Sequence, residues 1–454
     1  MTLPRYAEYK DSGVRWLGDL PAHWSIKRYK EVFVEREERS ETGAEILLSV
    51  SAYTGVSPRS EIVDEGDHLS RADSLEGYKV CYPNDLVMNI MLAWNRGLGF
   101  SQHHGIVSPA YSVFEVRSGN YPRFLDYMVR SDRTILYYKA FSSGVIDSRL
   151  RLYPDTFGSL YCILPPPDEQ IAIATFLDRE TAKIDTLIAE QDKLIALLAE
   201  KRQAAIFHVI TKGLNRNALM KDSGVAWLGE VPEHWKVGKA GFYISVLPGY
   251  AFSSTRFSLD ESNVKLLRGI NVGVGELKWD EVVYWARTEA DGLDAFELDA
   301  GDVVIGMDRP LISTGMRVAI VKKQDLPCLL LQRVAKIRPG ELVEGRFMMR
   351  LLSSRAFEAH FAPETTGVSV PHISGEQIAS FVIPVPPLDE QKRICDFLAA
   401  EFAKLDALTR ESERAITLFA ERRAALISAA VTGQIDVRGG RSQTILESPE
   451  AIAA

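Results

Sequence analysis

Lys10-Asp-Ser-Gly-Val-Arg-Trp-Leu-Gly-Asp-Leu-Pro-Ala-His-Trp24 returns 211 residues later as Lys221-Asp-Ser-Gly-Val-Ala-Trp-Leu-Gly-Glu-Val-Pro-Glu-His-Trp235. A second pair of segments, Pro166-Pro-Asp-Glu-Gln170 and Pro387-Leu-Asp-Glu-Gln391, lies 221 residues apart. The match continues behind this pair as far as Glu200-Lys-Arg202 and Glu421-Arg-Arg423. A repeat of this length is far too long for a solenoid, so each copy is predicted to be a domain followed by an arm.

The middles of the two copies have diverged much further than their flanks. Leu47-Leu-Ser-Val50 still matches Leu266-Leu-Arg-Gly269, and Asn84-Asp-Leu-Val-Met88 matches Gly301-Asp-Val-Val-Ile305. Similar flanks around dissimilar middles favour one function performed on two different targets. A duplicated structural domain whose middle has drifted is the alternative, and the repeat alone leaves both open.

Each arm reads as a long amphipathic helix. In the first copy Pro165-Pro-Pro167 ends the preceding segment, acidic residues start the helix at Asp168, and Gly213 stands where a C-terminal cap would fall. Apolar residues recur at three- and four-residue steps in both arms, and those assigned to helix packing are Leu177, Ile184, Ile195, Leu398, Leu405 and Ile416. About 45 residues at about 1.5 Å each give an arm of roughly 65 Å.

Such a helix needs a partner for its apolar side. The predicted partner is the repeat's other helix, in an antiparallel coiled coil with Gln191 and Ser412 on the seam. The alternative is that each helix lies along the core of its own domain.

Composition excludes several classes of protein. The chain has 454 residues, 46% of them hydrophobic and 25% charged, with a net charge of −8. It shows no run of about 18 apolar residues and no apolar signal peptide after Met1. Its four cysteines are too far apart for a metal ribbon or a disulfide framework: Cys81, Cys162, Cys328 and Cys395. We therefore expect a cytoplasmic protein that does not contact membranes.

No catalytic signature is present in the sequence. It lacks a phosphate-binding loop, a dinucleotide-binding glycine motif and the common nucleophile and zinc-protease motifs. The trace Glu276-Leu-Lys278 with Asp260 is better explained as a hairpin flank than as a nuclease site, and His103-His104 lacks the other ligands of a metal site. We predict no catalytic residue, no metal and no cofactor in this chain.

The middles carry short β-type runs such as Val303–Ile305, and short helices are predicted near 121–131 and 345–359. The fold class is therefore α+β, with two mixed domains joined by two long antiparallel helices in a pseudo-two-fold repeat. Both middles are mildly acidic, with 13 Lys and Arg against 17 Asp and Glu in 34–163 and 15 against 18 in 244–383. Attraction to phosphate could only come from local clusters.

These residues resemble a known family, the specificity subunits of type I restriction–modification enzymes. The resemblance rests on the doubled Lys-Asp-Ser-Gly-Val-x-Trp-Leu-Gly-x-x-Pro-x-His-Trp, on Leu47–Ser51 with Gly55-Val56 and Arg59, and on the doubled Asp-Glu-Gln before a long helix. It covers the chain from Tyr9 to about Ile435. It implies a first target-recognition domain over 1–163, a first spacer helix over 164–214, a second recognition domain over 215–383, a second spacer helix over 384–436 and a disordered tail over 437–454.

The resemblance also implies function. Each recognition domain would read one half of a split, asymmetric sequence in double-stranded DNA, and the chain itself would not be an enzyme. The partners would be two modification subunits, which are adenine methyltransferases, and restriction subunits with translocase and nuclease activity. S-adenosylmethionine, ATP and Mg²⁺ are expected only in those partners.

Arg and Asn suit bidentate contacts to guanine and adenine, so such residues in the diverged middles are the candidate base readers. In the first domain these are Ser51, Tyr53, Arg59, Asn95, Arg96 and Arg149. In the second they are Arg268, Asn271, Arg309 and Arg317. For each, a surface ion pair or a turn is the competing explanation.

Two other functions compete with this one. An enzyme with an unfamiliar site would act without partners. A scaffold with two interaction domains on a coiled-coil stalk would bind its partners without any dependence on DNA sequence, and the acidic middles slightly favour it.

Overall fold

The computed structural model describes residues 4–14, 17–52, 55–61, 74–146, 149–288, 290–312, 315–365 and 372–438. The chain forms two compact units, Met1–Gln191 with Glu413–Ala454, and Asp192–Ser412. Each unit contains part of both long helices. No helix in the described ranges is both long enough and apolar enough to span a bilayer.

The first unit is built on a four-stranded antiparallel sheet. The strands of the whole first unit are β1 (Tyr9–Asp11), β2 (Asp19–Pro21), β3 (Ser25–Arg28), β4 (Phe33–Glu35), β5 (Leu48–Ser51), β6 (Gly55–Pro58), β7 (Lys79–Cys81), β8 (Leu86–Asn89), β9 (Leu98–Phe100), β10 (Gly105–Val107), β11 (Tyr111–Val116) and β12 (Tyr161–Leu164). Its short helices are α1 (Tyr29–Val32), α2 (Pro122–Arg130), α3 (Asp132–Phe141) and α4 (Pro154–Ser159). The sheet order is β4-β11-β8-β9, and β5 with β6 forms a hairpin.

The long helix α5 (Pro167–Lys212) leads into the second unit. The strands of that unit are β13 (Met220–Asp222), β14 (Glu230–Pro232), β15 (Lys236–Lys239), β16 (Ile244–Pro248), β17 (Val264–Leu267), β18 (Tyr284–Trp285), β19 (Val303–Gly306), β20 (Leu311–Ile312), β21 (Gly315–Met316), β22 (Val318–Ile320), β23 (Cys328–Leu330), β24 (Val334–Pro339) and β25 (Val382–Val385). Its helices are α6 (Gly345–Leu352), α7 (Arg355–Thr365), α8 (Gly375–Ser380) and the long α9 (Leu388–Val431). Its four-stranded sheet has the order β16-β24-β19-β22.

The two sheets have the same design. In both, a central strand is buried on both faces, so three consecutive apolar residues stand where a half-exposed strand would alternate. In β8, Leu86 and Met88 enter the main core while Val87 enters a smaller core on the other face. In β19, Val303 and Ile305 enter the main core, and Val304 enters a smaller one.

The pieces around the sheets differ more. The first unit has the β5–β6 hairpin, whereas β17 of the second unit lies between β18 and a parallel partner, β23. The two copies therefore share the four-stranded sheet and differ in the strands that surround it. These observations confirm the predicted α+β class with a long helix after each domain.

The long helices pack on domain cores at their ends. Ile173 and Leu177 of α5 belong to the core of the first unit, whereas Ile206 and Ile210 of the same helix belong to the core of the second. The alternative of a helix lying on its own domain therefore describes the first segment of α5 and does not describe its last segment. Both helices stop before a glycine in the left-handed region, Gly213 with φ 71° after α5 and Gly433 with φ 72° after α9.

Within each unit the two helices also pair with each other, in antiparallel order. In the first unit Asp185 of α5 forms an ion pair with Arg423 of α9 at 2.9 Å. In the second unit Arg202 of α5 forms one with Asp406 of α9 at 2.7 Å. The two pairs are related by the 221-residue repeat, with the roles of the helices exchanged.

The doubled sequence motifs meet in a clamp at the start of each long helix. Glu169 accepts hydrogen bonds from Tyr6 Oη at 2.5 Å, His23 Nε2 at 2.7 Å and Trp24 Nε1 at 3.1 Å. Burial, and then the bond to Glu169, raises the pKa of the Tyr6 hydroxyl well above its usual value.

The second unit repeats the clamp with one member missing. Glu390 accepts from His234 Nε2 at 2.8 Å and from Trp235 Nε1 at 3.1 Å. Its carboxylate is 12% exposed, against 5% for Glu169. The His-Trp and Glu residues of the repeated motifs are therefore structural partners in both copies.

The glutamine that follows each clamp glutamate connects the long helix to the segment before α2 or α6 in the same unit. Gln170 accepts from the backbone N–H of Tyr121 at 2.8 Å and donates to the Pro165 carbonyl at 3.0 Å. Gln391 accepts from the N–H of Glu344 at 2.8 Å and donates to the Pro386 carbonyl at 2.7 Å. The bond to Tyr121 or Glu344 fixes the residue before α2 or α6.

Some predicted boundaries shift. The helix expected near 345–359 is two helices, because Ser354 hydrogen-bonds the Leu351 carbonyl and accepts from the N–H of Phe357, which ends one helix and starts the next. Within the tail predicted from 437, Val437 is buried in the first core and Arg438 pairs with Asp436 at 2.7 Å. The residues after 438 lie outside the described ranges. Both long helices lie within the spacer ranges, and the domain boundaries themselves stay predictions.

Candidate nucleic-acid interface

The predicted base readers gather at one end of each four-stranded sheet. In the first unit this end is where β8 stops at Asn89, opposite Tyr111 at the start of β11. In the second it is where β19 stops at Gly306, opposite Val334 at the start of β24. We call these two places the first and second reading ends.

The β5–β6 hairpin and the loop that follows β8 meet at the first reading end. Ser51 ends β5, and its hairpin partner Gly55 packs against Gly99 of β9. Asn95 and Arg96 occupy the loop that follows β8. The β5–β6 hairpin, which is more distant in sequence, therefore comes to the same edge of the sheet as this loop.

Arg59 and Arg149 reach the same region by other routes. Burial raises the pKa of the Tyr111 hydroxyl, which lies at this end of β11, and the positive charge of Arg59 opposes part of that rise. The segment that carries Arg149 is held there because the N–H of Leu152 donates to the carbonyl of Ile90 at 2.9 Å.

The accessibility of these side chains differs. Asn95 and Arg149 are exposed, and Ser51 and Arg59 are half-buried. Arg96 has a left-handed backbone with φ 61° and forms an ion pair with Asp132, so its charge is already partly neutralised. Tyr53 lies outside the described residues.

At the second reading end one arginine ties two loops together. Arg317 Nε donates to the Val272 carbonyl at 3.0 Å, and its Nη1 donates to the Asp308 carbonyl at 3.3 Å. Burial lowers the pKa of this guanidinium, and the charge of Asp308 offsets part of the effect. The loops carrying Arg268 and Arg309 are therefore adjacent.

Arg309 is exposed, with φ 44°, and Arg268 is half-buried. Arg268 donates from Nη2 to the Glu281 carbonyl at 2.8 Å, while its Nε has no hydrogen-bond partner among the described residues. Arg59 in the first unit has the same kind of unpartnered Nε within the described ranges. A buried donor without a partner calls for an explanation, and an absent ligand is one.

Asn271 has a structural position. Its side chain is 1% exposed, accepts from the N–H of Arg268 and donates to the carbonyls of Lys278 and Glu281, both at 2.9 Å. All of its hydrogen-bonding groups are thus engaged in shaping the loop. We leave Asn271 out of the proposed reading surface for this reason.

Sequence reasoning missed a polar group at the second reading end. Asp308 binds His372 Nδ1 at 2.6 Å and Arg333 Nε at 3.5 Å. Arg333 is exposed and has a left-handed backbone with φ 69° directly before β24. An arginine in a turn before a strand was a signal available in the sequence, whereas the approach of His372 from a later segment was not.

The side chains assigned to helix packing fall into two groups. Leu177, Ile184, Leu398 and Leu405 are buried, whereas Ile195 and Ile416 are half-buried. Ser412 is buried and Gln191 is half-buried. The four buried residues carry the packing in their own units.

The described residues contain no group of three or more His, Cys, Asp or Glu side chains placed to hold a metal ion. The four cysteines are buried and unpaired, and burial raises the pKa of the Cys81 thiol to about 11.

The chain is similar in sequence to known proteins. A family model described as the type I restriction modification DNA specificity domain matches residues 273–418. The MjaVIII specificity subunit of Methanocaldococcus jannaschii is 26% identical over 357 residues, which is 77% of this chain and 80% of that protein. The chain is therefore similar to type I specificity subunits over most of its length. This similarity agrees with the prediction that the chain is not itself an enzyme.

Other relatives match shorter parts of the chain. The EcoAI specificity subunit of Escherichia coli is 38% identical over 166 residues, which is 36% of this chain and 28% of that protein. Among solved structures, the HsdS subunit from Thermoanaerobacter tengcongensis has a TM-score of 0.51 at 18% identity. A structure from work on complex assembly and conformational transition of the type I R-M system has a TM-score of 0.64 at 17% identity. Both cover 91% of this chain and 98% of the matched chain, and they support the fold.

Proposed function

We propose that this chain is the DNA-reading specificity subunit of a type I restriction–modification complex. It reads a split, asymmetric target in double-stranded DNA, one half with each recognition domain, and directs adenine methyltransferase and restriction subunits to it. The observation that carries the proposal is a repeated frame with different side chains at equivalent reading ends.

The chemistry of the reading ends fits base recognition. The first offers Asn95, Arg149 and Arg59, and the second offers Arg268 and Arg309. Arg suits the major-groove edge of guanine and Asn that of adenine, so the two ends would prefer different bases. The unpartnered Nε atoms of Arg59 and Arg268 give each end a donor without a partner among the described residues.

The spacer helices fit the docking of two identical modification subunits. Leu187 of α5 and Leu408 of α9 occupy equivalent positions in the repeat, and their exposures are 39% and 46%. Leu197 and Leu418 form a second equivalent pair, at 50% and 54%. Each unit thus carries one exposed leucine from each helix, which is what two copies of one partner need.

S-adenosylmethionine, ATP and Mg²⁺ would be bound by those partner subunits. The mild acidity of the middles is compatible with this arrangement, because partner subunits can supply much of the phosphate neutralisation. A cytoplasmic location follows from the proposal, since the DNA to be modified or cut is there.

The test is to co-express the chain with a candidate modification methyltransferase and to map methylated adenines in the host DNA. We expect a single motif with two specified halves and an unspecified spacer, which disappears when the chain is omitted. The omission strain is the matched control.

A stable complex with the methyltransferase but no sequence motif would contradict the proposal and favour the non-DNA scaffold. The same motif in the omission strain would also contradict it, because the reading would then belong to the methyltransferase.

A further inference from the structure

Arg317 is enclosed by glycines at the second reading end. A Cβ on Gly306 would lie 3.4 Å from the Arg317 side chain, and one on Gly269 would lie 3.7 Å from its Nη2. From this position it bonds the carbonyls of Val272 and Asp308. One side chain thus fixes the loop after β17 and the loop after β19.

Arg130 occupies a similar place at the first reading end. It is the last residue of α2, and its Nη2 donates to the Ala52 carbonyl at 3.2 Å, next to the β5–β6 turn. A Cβ on Gly55 would lie 2.4 Å from its Nη1, and one on Gly99 would lie 3.0 Å from the same atom. Only glycine at these two positions leaves room for the guanidinium.

The two arginines are not equivalent in the repeat. Arg130 comes from the end of a helix, whereas Arg317 lies between β21 and β22. By strand register Arg317 corresponds to Gly97 of the first copy, which stands two residues before the Gly99 that contacts Arg130. The same local arrangement has thus been reached from two different elements.

We infer that Arg130 and Arg317 are positioning residues, each of which holds the recognition loops of its own domain. This inference rests on the proposed function. A planar guanidinium has several donors in fixed directions and can bond backbone carbonyls from separate loops at once, which a single ammonium group cannot match. Arg317 acts through Arg268 and Arg309, and Arg130 acts through the hairpin that carries Ser51.

Burial supports this role. It lowers the pKa of both guanidinium groups, with opposing contributions from Asp126 for Arg130 and Asp308 for Arg317. Half-buried arginines bonded to loop carbonyls have a fixed orientation, whereas an exposed arginine would move freely. The loops around them gain that fixed geometry.

The experiment uses the complex with its methyltransferase and compares methylation maps for Arg317→Ala, Arg130→Ala and a control, Arg216→Ala, which changes an exposed arginine in the connection between α5 and β13. We expect Arg317→Ala to relax base preference in one half of the motif by about tenfold, the scale of one base contact. Arg130→Ala should relax the opposite half, and the control should leave both halves unchanged.

Two further variants separate positioning from folding. Arg130→Lys should recover part of the preference that Arg130→Ala loses, because an ammonium group can still bond the Ala52 carbonyl. Arg317→Lys should recover part of the lost preference, because an ammonium group can still bond one of the two carbonyls. If the alanine variants abolish methylation entirely, these two variants decide the question.

Unchanged preference in Arg317→Ala and Arg130→Ala, or equal relaxation of both halves in any of the four variants, would overturn the inference. These outcomes differ from failure of the proposed function, in which the unaltered chain already gives no split motif.

Discussion

Replacing Glu169 with Ala is expected to lower the free energy of unfolding of the first unit by about 3–5 kcal/mol. The carboxylate accepts from Tyr6, His23 and Trp24, and both Tyr6 and Trp24 are buried. A buried donor left without a partner costs about 1–3 kcal/mol, and bonds to a charged acceptor are at the upper end. Urea denaturation followed by tryptophan fluorescence measures the effect.

Glu390→Ala is the matched control. Glu390 accepts from two donors instead of three, and one of them, His234, is exposed. We expect a loss of about 1–2 kcal/mol, and the difference between the two variants measures the contribution of Tyr6 and deeper burial. Equal losses, or a loss below about 0.5 kcal/mol in Glu169→Ala, would show that the clamp is not a main support of the first unit.

Replacing Ile184 with Asp is expected to lower the stability of the first unit by about 3–5 kcal/mol, because it places an unpaired charge in a side-chain position that is 6% exposed. For a unit of this size that corresponds to a fall in Tm of roughly 10 °C. Differential scanning calorimetry measures it.

Two variants at less buried positions of the same helix serve as controls for this result. Ile195→Asp should cost less, because Ile195 is half-buried. Leu187→Asp introduces the same charge at an exposed leucine and should change Tm by less than about 2 °C while weakening binding of the modification subunit. A Tm for Ile184→Asp as high as that of Leu187→Asp would be incompatible with Ile184 lying in a packed helix interface.

The long helices could be predicted closely because their signals are local. Proline before Pro167, acidic residues in the first turn and Gly213 after the last turn each act within a few residues. The same holds for the fully apolar strand around Val304, which is buried on both faces. Short-range chemistry of this kind is readable without knowing the rest of the fold.

The clamp could not be predicted, although its residues were in view. Glu169 and His23 are 146 residues apart, and nothing in either segment indicates that they meet. Their joint recurrence in both copies was a usable sign of contact, but a shared motif is equally compatible with a shared ligand. Distance in space decides between these explanations, and the sequence does not contain it.

The sequence placed the candidate readers in loops, but it could not predict the surroundings of single side chains. Asn271 has the side-chain amide that suits an adenine reader. This amide points inward, because it bonds backbone groups in the turn after β17. Arg130 went unnoticed because it ends a helix outside those loops and has no counterpart in the second copy. Such roles depend on which segments become neighbours after folding.

The central claim is that each recognition domain reads its own half of the target. The most direct measurement replaces residues 34–163 with the recognition segment of a specificity subunit of different target, in the complex with its methyltransferase, and maps methylated adenines in host DNA. We predict that one half of the motif changes to the donor's half-site, while the other half and the number of unspecified bases stay the same. A motif in which both halves change, or in which neither changes although the complex methylates DNA, would contradict the claim.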